Sequence, residues 1–180
     1  RNLRGRPGRP NAVVQAPALV STPVTPTPCP VDVIVPVYRG LADTQLCLES
    51  VLASRNDSAF RLIVINDASP EPELAGWLRE LRARDQRVVL VENEQNLGFV
   101  GTVNRGMAMS DAHDVILLNS DTEVANDWLD RLKRAAYSDA RVGTVTPFSN
   151  NATICSYPRF CESNTMPAGL STAALDDLFA

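Results

Sequence analysis

Residues 114–123 read DVILLNSDTE. Four apolar residues, Val115 through Leu118, run directly into Asn119, Ser120 and Asp121. A short continuous apolar run closed by polar residues predicts a strand buried on both faces, as in a parallel sheet. In open α/β sheets, ligands lie just beyond the carboxyl ends of such strands. Asp121 therefore falls where a carboxylate can act. A carboxylate beside a core is costly unless it has a partner, and a hard divalent cation bridging it to phosphate oxygens is one such partner. The other reading is that Asp121 caps the next helix, because Asp and Ser are good N-caps.

Working outward, the same grammar repeats. VDVIVPVY, from Val31, reads as a first strand, and Pro36 predicts that pairing stops there, so that Val37 and Tyr38 open a loop. The spacing of Cys47, Leu48, Val51 and Leu52 predicts a helix over 43–53, with Asp43 or Thr44 as its cap. FRLIVIND is a second strand ending at Asn66 and Asp67. A helix follows with Ser69 as cap, Pro70 in its first position, and Leu74, Trp77, Leu78 and Leu81 inward. RVVLVEN is a third strand. In EQNLGFVGTVNRGM, Gly98 and Gly101 permit tight backbone, and Phe99, Val103 and Met107 predict a helix packing through that edge. After the fourth strand, over 114–119, a helix is expected from Asn126 or Asp127, with Trp128, Leu129 and Leu132 inward. RVGTVTPF, over 141–148, is the expected fifth strand. Beyond it come a polar loop and the start of a last helix, STAALDDLFA.

The order β-α-β-α-β-α-β-α-β predicts an α/β fold: a mostly parallel sheet with helices on both faces. Tyr38, Asp67, Asn96 and Asp121 all follow strand ends and so converge on one edge of that sheet. Each has a plainer reading alone: Asp67 as a helix cap, Tyr38 as a half-buried aromatic, and Asn96 and Asn104 as turn and helix residues.

Composition narrows the classes. The chain has 180 residues, is 44% hydrophobic and 21% charged, and carries a net charge of -4, which gives no case for nucleic acid or an anionic membrane surface. No apolar run is long enough to span a bilayer, and RNLRGRPGRP leads into no apolar segment of signal-peptide type. The chain does not begin with Met, so an interior piece of something longer is expected. Just over half of the thirteen prolines fall in residues 1–30, read as a Pro/Arg-rich linker or tail, with an ordered domain over 31–180. Cys29, Cys47, Cys155 and Cys161 show no CxxC spacing, so free thiols are expected, with Cys47 a core residue. The sequons at Asn56 and Asn151 read as chance matches, and His113 as a surface turn residue without a catalytic partner. Neither GxGxxG nor GxxxxGK[ST] occurs.

Four stretches in register, VDVIVPVYRG, LIVINDASPE, NEQNLGFVGTVNRGM and DVILLNSDTEVANDWLDRL, make the chain resemble the family 2 glycosyltransferases over residues 31–148. The resemblance implies a GT-A (Rossmann-like) fold, incomplete at its C-terminus. It implies metal-assisted, inverting transfer of a hexosyl-type sugar from a nucleoside diphosphate donor (UDP, dTDP or GDP type) to an acceptor hydroxyl, with Mg²⁺ or Mn²⁺ on the pyrophosphate. A glycan or lipid-linked acceptor, polysaccharide biosynthesis and a cytoplasmic place at the inner membrane face belong to the same implication. Matched residue by residue, Pro36, Val37 and Tyr38 lie against the base and Asp67 reads it. Asn96, Gly98 and Asn104 line the donor pocket, and Asn119, Ser120 and Asp121 match the DXD motif, with Asp121 as metal ligand. Asn119 stands where the motif has its first Asp. Members resembling this NSD form include rhamnosyl- and other deoxyhexosyl-transferases. The family's Arg-Trp motif is absent, and its general base is expected beyond this segment, since Asp176 and Asp177 look like polar positions of a terminal helix. The segment alone is expected to bind nucleotide weakly and catalyse little. The rival readings are a non-catalytic nucleotide-sugar-binding module and a nucleotidyltransferase-like enzyme.

Overall fold

The computed structural model describes residues 29–109 and 112–179. The expected tail over 1–30 lies almost wholly outside the described residues. Four strands, β1 (Val31–Val37), β2 (Phe60–Asn66), β3 (Val88–Glu92) and β4 (Asp114–Leu117), form one sheet in the order β3-β2-β1-β4. Every pairing is parallel, with Val31 opposite Phe60 and Asp114, and Leu62 opposite Val88. Among the described residues there are five helices: α1 (Leu41–Ala53), α2 (Pro72–Arg84), α3 (Gly98–Met107), α4 (Trp128–Ala136) and α5 (Thr172–Asp177).

Strand alternation sends side chains to two helical layers. Val31, Val33, Val35, Val37, Leu62 and Val64 pack with Cys47, Leu48 and Val51 of α1, with Leu74, Leu78 and Leu81 of α2, and with Leu129 of α4. Ile34, Ile63 and Ile65 face the other way, with Val89 and Val91. There they meet α3, where a Cβ on Gly106 would stand 2.7 Å from Ile34 Cγ2 and 2.9 Å from Ile65 Cδ1. The expected fold class holds: α/β, parallel, helices on both faces.

Several expectations are corrected. Pro36 does not end β1, which stays paired through Val37 opposite Asn66. In a parallel strand alternate residues bond to alternate neighbours. The Ile34 carbonyl accepts from Leu118 N–H and the Val37 carbonyl from Asp67 N–H, so Pro36 faces the β4 side, beyond where β4 has ended. Its missing N–H costs nothing there. β4 is an edge strand, not one buried on both faces, and Val115 and Leu117 are exposed. No fifth strand forms over 141–148 among the described residues; the nearest pairing is two isolated bridges, Ser149 with Ser156 and Asn151 with Ser163. RVGTVTPF alternates too weakly and stays largely exposed, so it has no core face to bury.

Helix starts also shift. α1 begins at Leu41 behind Gly40, whose φ of 90° suits glycine, so neither Asp43 nor Thr44 caps it. α2 begins at Pro72 behind Glu71; Ser69 instead makes the preceding turn, its Oγ accepting from Glu71 N–H. The buried face of α3 is Thr102, Val103 and Gly106, leaving Phe99 and Met107 exposed. The side-chain-free Gly106 lets that face approach the sheet more closely than the Phe99 stripe could.

Two buried or half-buried sets of charges tie elements together. Asp32, 1% exposed at the amino end of β1, accepts from Arg61 Nε and Nη2 at 2.9 and 2.7 Å and lies 3.0 Å from His113 Nδ1. His113 is therefore a partner of Asp32, not an isolated turn residue. Burial pushes the Asp32 carboxyl up, but the bonds and charges of Arg61 and His113 outweigh it and hold the carboxyl below its ordinary range. At the other end of the chain, Asp176 pairs with Arg131 at 2.6 Å, and Asp176 and Asp177 both accept from Asn126 Nδ2. Both acids thus dock α5 on the 126–131 segment.

Candidate functional site

All four strands point their carboxyl ends to one edge, so Tyr38, Asp67, Asn96 and Asn119 to Asp121 emerge on the same side. The structure divides them into a cleft and a supporting loop. The cleft, of about 300 Å³ and open to solvent, is lined by Pro36, Arg39, Asp43, Phe99, Asn119, Ser120 and Asp121. Four of these, Pro36, Asn119, Ser120 and Asp121, are sequence-expected. Arg39, Asp43 and Phe99 are not. Arg39 and Asp43 flank the start of α1, and Phe99 reaches in from the first turn of α3, left outward by the choice of packing face.

The NSD turn is held from below. Cys47 Sγ donates to the Asn119 carbonyl at 3.3 Å, and Thr122 N–H closes on the same carbonyl at 3.2 Å. Burial pushes the Cys47 thiol up to about 12, the hydrogen bond from Thr122 opposes this, and the charge of Asp121 adds to it. Cys47 is therefore a neutral donor, not a nucleophile. Asp121 itself is exposed at the cleft wall and caps no helix, since α4 starts at Trp128 behind Asp127.

Asp67 has a different task. It is 3% exposed; its Oδ1 accepts from Asn93 Nδ2 at 2.6 Å and Leu97 N–H at 2.8 Å, and its Oδ2 accepts from Gly98 N–H at 2.9 Å. Burial pushes this carboxyl up, but the bonds from Leu97, Asn93, Thr102 and Gly98 outweigh it and hold it below its ordinary value. Asp67 therefore neither caps α2 nor presents a free carboxylate. It ties β2 to the loop before α3. Gly98 needs its φ of 69° to turn that N–H inward, and its N–H is shared with Asn96 Oδ1 at 3.0 Å. Asn93, buried beneath, also donates to Thr102 Oγ1 and accepts from Arg105.

The remaining expected residues scatter. Val37 is fully buried in the core, so its side chain is withheld from any ligand. Tyr38 is exposed, with the Arg39 guanidinium 5.4 Å from its ring centroid. Asn96 and Asn104 are exposed on the loop and on α3, outside the cleft lining.

The donor set of the cleft suits a hard cation. It offers the carboxylates of Asp43 and Asp121 and the side-chain oxygens of Asn119 and Ser120, with no sulfur or imidazole. Among the described residues no group of three or more His, Cys, Asp or Glu gathers.

The sequence profile of the family described as Glycosyl transferase family 2 matches residues 32–160. The chain belongs to that family. It is 30% identical over 111 residues to the uncharacterized protein y4gI of Sinorhizobium fredii, covering 61% of this chain and 12% of that protein. It is 28% identical over 136 residues to an N-acetylglucosaminyltransferase of Rhizobium meliloti, covering 73% of this chain and 31% of that one. Among solved structures it superposes on the mannosyltransferase PcManGT from Pyrobaculum calidifontis, determined with GDP-Man and Mn²⁺. The TM-score is 0.52 at 20% identity, over 64% of this chain and 34% of that one. These likenesses fix the fold as GT-A. The chain spans about a third or less of the length of the first curated relatives it matches. No helix among the described residues is long and apolar enough to cross a membrane.

Proposed function

We propose that residues 31–180 are the donor-binding part of a glycosyltransferase that moves a sugar from a nucleoside diphosphate to an acceptor hydroxyl. The observation that carries this reading is one cleft. Asn119, Ser120 and Asp121 meet Pro36 at the carboxyl edge of a parallel sheet, in a family 2 chain. Phe99, which lines the cleft, and Tyr38, exposed next to the cleft residue Arg39, would give the base flat apolar faces; Asp67 supports the Asn96–Gly98 loop and offers the base at most the lone pair left on Oδ2. Asp121, with Asp43 across the cleft, would hold Mg²⁺ or Mn²⁺ against the diphosphate. When bound, such an ion neutralises charge on the departing diphosphate as a Lewis acid. Cys47 and Thr122 keep the NSD turn in place, so Asp121 is preorganised rather than recruited.

In the transfer, the bond from the anomeric carbon to the β-phosphate oxygen breaks and its electron pair stays on that oxygen. The acceptor oxygen forms the new bond and its proton passes to a general base. Asp176 and Asp177 are engaged with Arg131 and Asn126, so we assign that base to a part of the protein outside this chain. The sugar, the glycan or lipid-linked acceptor and a site of action at the cytoplasmic membrane face belong to the same proposal.

Calorimetric titration with UDP, GDP and dTDP, with and without Mn²⁺, on wild type and Asp121→Ala tests it. Binding is expected to need both the ion and Asp121, and the preferred base narrows the donor. Binding that ignores the ion and survives Asp121→Ala refutes the assignment of Asp121. A second reading, a module that holds nucleotide sugar without turnover, draws on the amide of Asn119 in place of a carboxylate. Metal-dependent binding by a full-length protein that shows no transfer would favour it.

A further inference from the structure

Arg39 is the cation of the cleft. Among the described residues, most arginine side chains are spoken for: Arg61, Arg79, Arg84, Arg87, Arg131, Arg134, Arg141 and Arg159 sit in ion pairs, and Arg105 bonds Glu92 and Asn93. Arg39 makes no side-chain hydrogen bond or ion pair within the described protein. Its one contact of note is the face of Tyr38. It nonetheless lines the same cleft as Asp43 and Asp121.

The backbone beside it adds to the same field. α1 starts one residue past Gly40, whose own N–H is taken by Glu71 Oε2 at 3.1 Å; Gly40 has no side chain to cap the N–H groups that follow, and these lie beside Arg39 and Asp43 of the cleft. The charge balance of the site calls for such a wall. A nucleoside diphosphate brings an ionised diphosphate to a cleft that already holds two carboxylates. A single divalent ion offsets only half of that negative charge, and the leaving diphosphate gains more as the glycosidic bond breaks. With Asn119 an amide, the carboxylates that line the cleft are Asp43 and Asp121, with Glu71 behind them on the Gly40 N–H, and Arg39 brings the balance closer to neutral. Guanidinium presents a planar fork matched to phosphate oxygens.

We propose that Arg39 contacts the donor diphosphate directly, held over Tyr38 so that base stacking and phosphate recognition come from adjacent residues of one loop. This assignment rests on the donor-cleft reading above and adds to it a specific phosphate ligand. It predicts that Arg39 discriminates the diphosphate from the bare nucleoside, whereas Tyr38 serves both.

The test titrates wild type, Arg39→Gln and Arg39→Lys with UDP, GDP and dTDP and with the matching nucleosides, with and without Mn²⁺. Arg39→Gln is expected to weaken diphosphate binding about tenfold or more, the equivalent of one lost charge-assisted bond, and to leave nucleoside binding unchanged. Arg39→Lys restores part of the loss. The side chain's one contact of note is the exposed Tyr38 ring, so thermal unfolding of both variants should stay close to wild type. If wild type binds a diphosphate and Arg39→Gln binds it equally, or loses nucleoside to the same degree, the assignment falls and the donor cleft stands. If wild type binds none of the three diphosphates, both fall together.

Discussion

Replacing Asp67 with Asn separates two ideas about one residue. If Asp67 chiefly reads a base, Asp67→Asn alters ligand affinity and little else. If it is the tie between β2 and the loop before α3, the fold itself weakens. The geometry supports a worked magnitude. The substituted side chain keeps its best acceptor by pointing the amide oxygen at Asn93 Nδ2 and Leu97 N–H, which lie 2.6 and 2.8 Å from Oδ1 in the wild type. Its NH₂ then faces Gly98 N–H, donor against donor, where Oδ2 accepts at 2.9 Å. Gly98 retains Asn96 Oδ1 at 3.0 Å, so the orphaned donor is partly compensated. One charge-assisted bond is lost and two are reduced to neutral strength, for a total of roughly 2–3 kcal/mol. That corresponds to a fall in midpoint temperature of roughly 5–10 °C in a chain of this size. Urea unfolding followed by circular dichroism measures it, with an unchanged m-value required for a two-state comparison.

The pH dependence gives a second handle. The folded carboxyl of Asp67 titrates below its ordinary value of 3.8. Its contribution is therefore fully present above that value and is lost as pH falls through the lower folded value. The stability gap between wild type and Asp67→Asn should be constant near neutrality and shrink only in acid. A variant within about 0.5 kcal/mol of wild type at pH 7 would refute the tie. So would a gap that does not shrink in acid.

Two further outcomes follow from the packing. Gly106→Ala gains about 1 kcal/mol of helix propensity but drives a methyl into Ile34 and Ile65 at 2.7 and 2.9 Å. Overpacking of that kind costs about 1–3 kcal/mol, so a net loss near 1 kcal/mol is expected in denaturant titration, and a gain would show that α3 can back away from the sheet. Cys47, buried and with its thiol pushed up to about 12, should resist iodoacetamide at pH 8 while exposed Cys161 reacts. Mass spectrometry of the alkylated peptides checks this, and rapid labelling of Cys47 in the folded protein would remove it from beneath the NSD turn.

The sheet was legible because its strands are apolar runs closed by polar residues, and α1 and α2 because their inward residues recur at three and four. What escaped reading depends on partners distant in sequence. Pro36 looks like a strand end until β4 is seen to stop short of it. The packing face of α3 escapes a hydrophobic pattern because its closest contact is made by a residue with no side chain, Gly106. Asp32 looks anomalous inside β1, and its resolution by Arg61 and His113 comes from β2 and from the turn before β4. At the site, NSD and Pro36 were readable from motif and strand end. Arg39 and Asp43 were not, since they look like ordinary loop and helix-start polar residues until the fold brings Asp121 opposite them. Asp67 was found by position, but its ties to Leu97, Gly98 and Asn93 were not, because only the fold brings those donors to its oxygens.

The strand order β3-β2-β1-β4 sets an order of events in folding. β1 meets β2 across a short connection, as in the Arg61 to Asp32 contact at a separation of 29 residues, whereas β4 returns to β1 across 81, the separation of His113 and Asp32. Closing the longer loop costs about 1 kcal/mol more in chain entropy, and the contacts that repay it come only once β4 is seated. The β1-α1-β2-α2-β3 unit is therefore positioned to assemble first, with β4 docking last on a finished edge. The NSD turn rides on β4, and its anchor Cys47 waits on α1. A population with β4 undocked would retain the helix signal of α1 and α2 and the core between them and the other strands, less Leu118, yet present no cleft. On the proposed donor cleft, ligand binding would report that docking step, and a nucleotide held between Asp121 and Arg39 would act as a clasp across the seam that closes the longer loop.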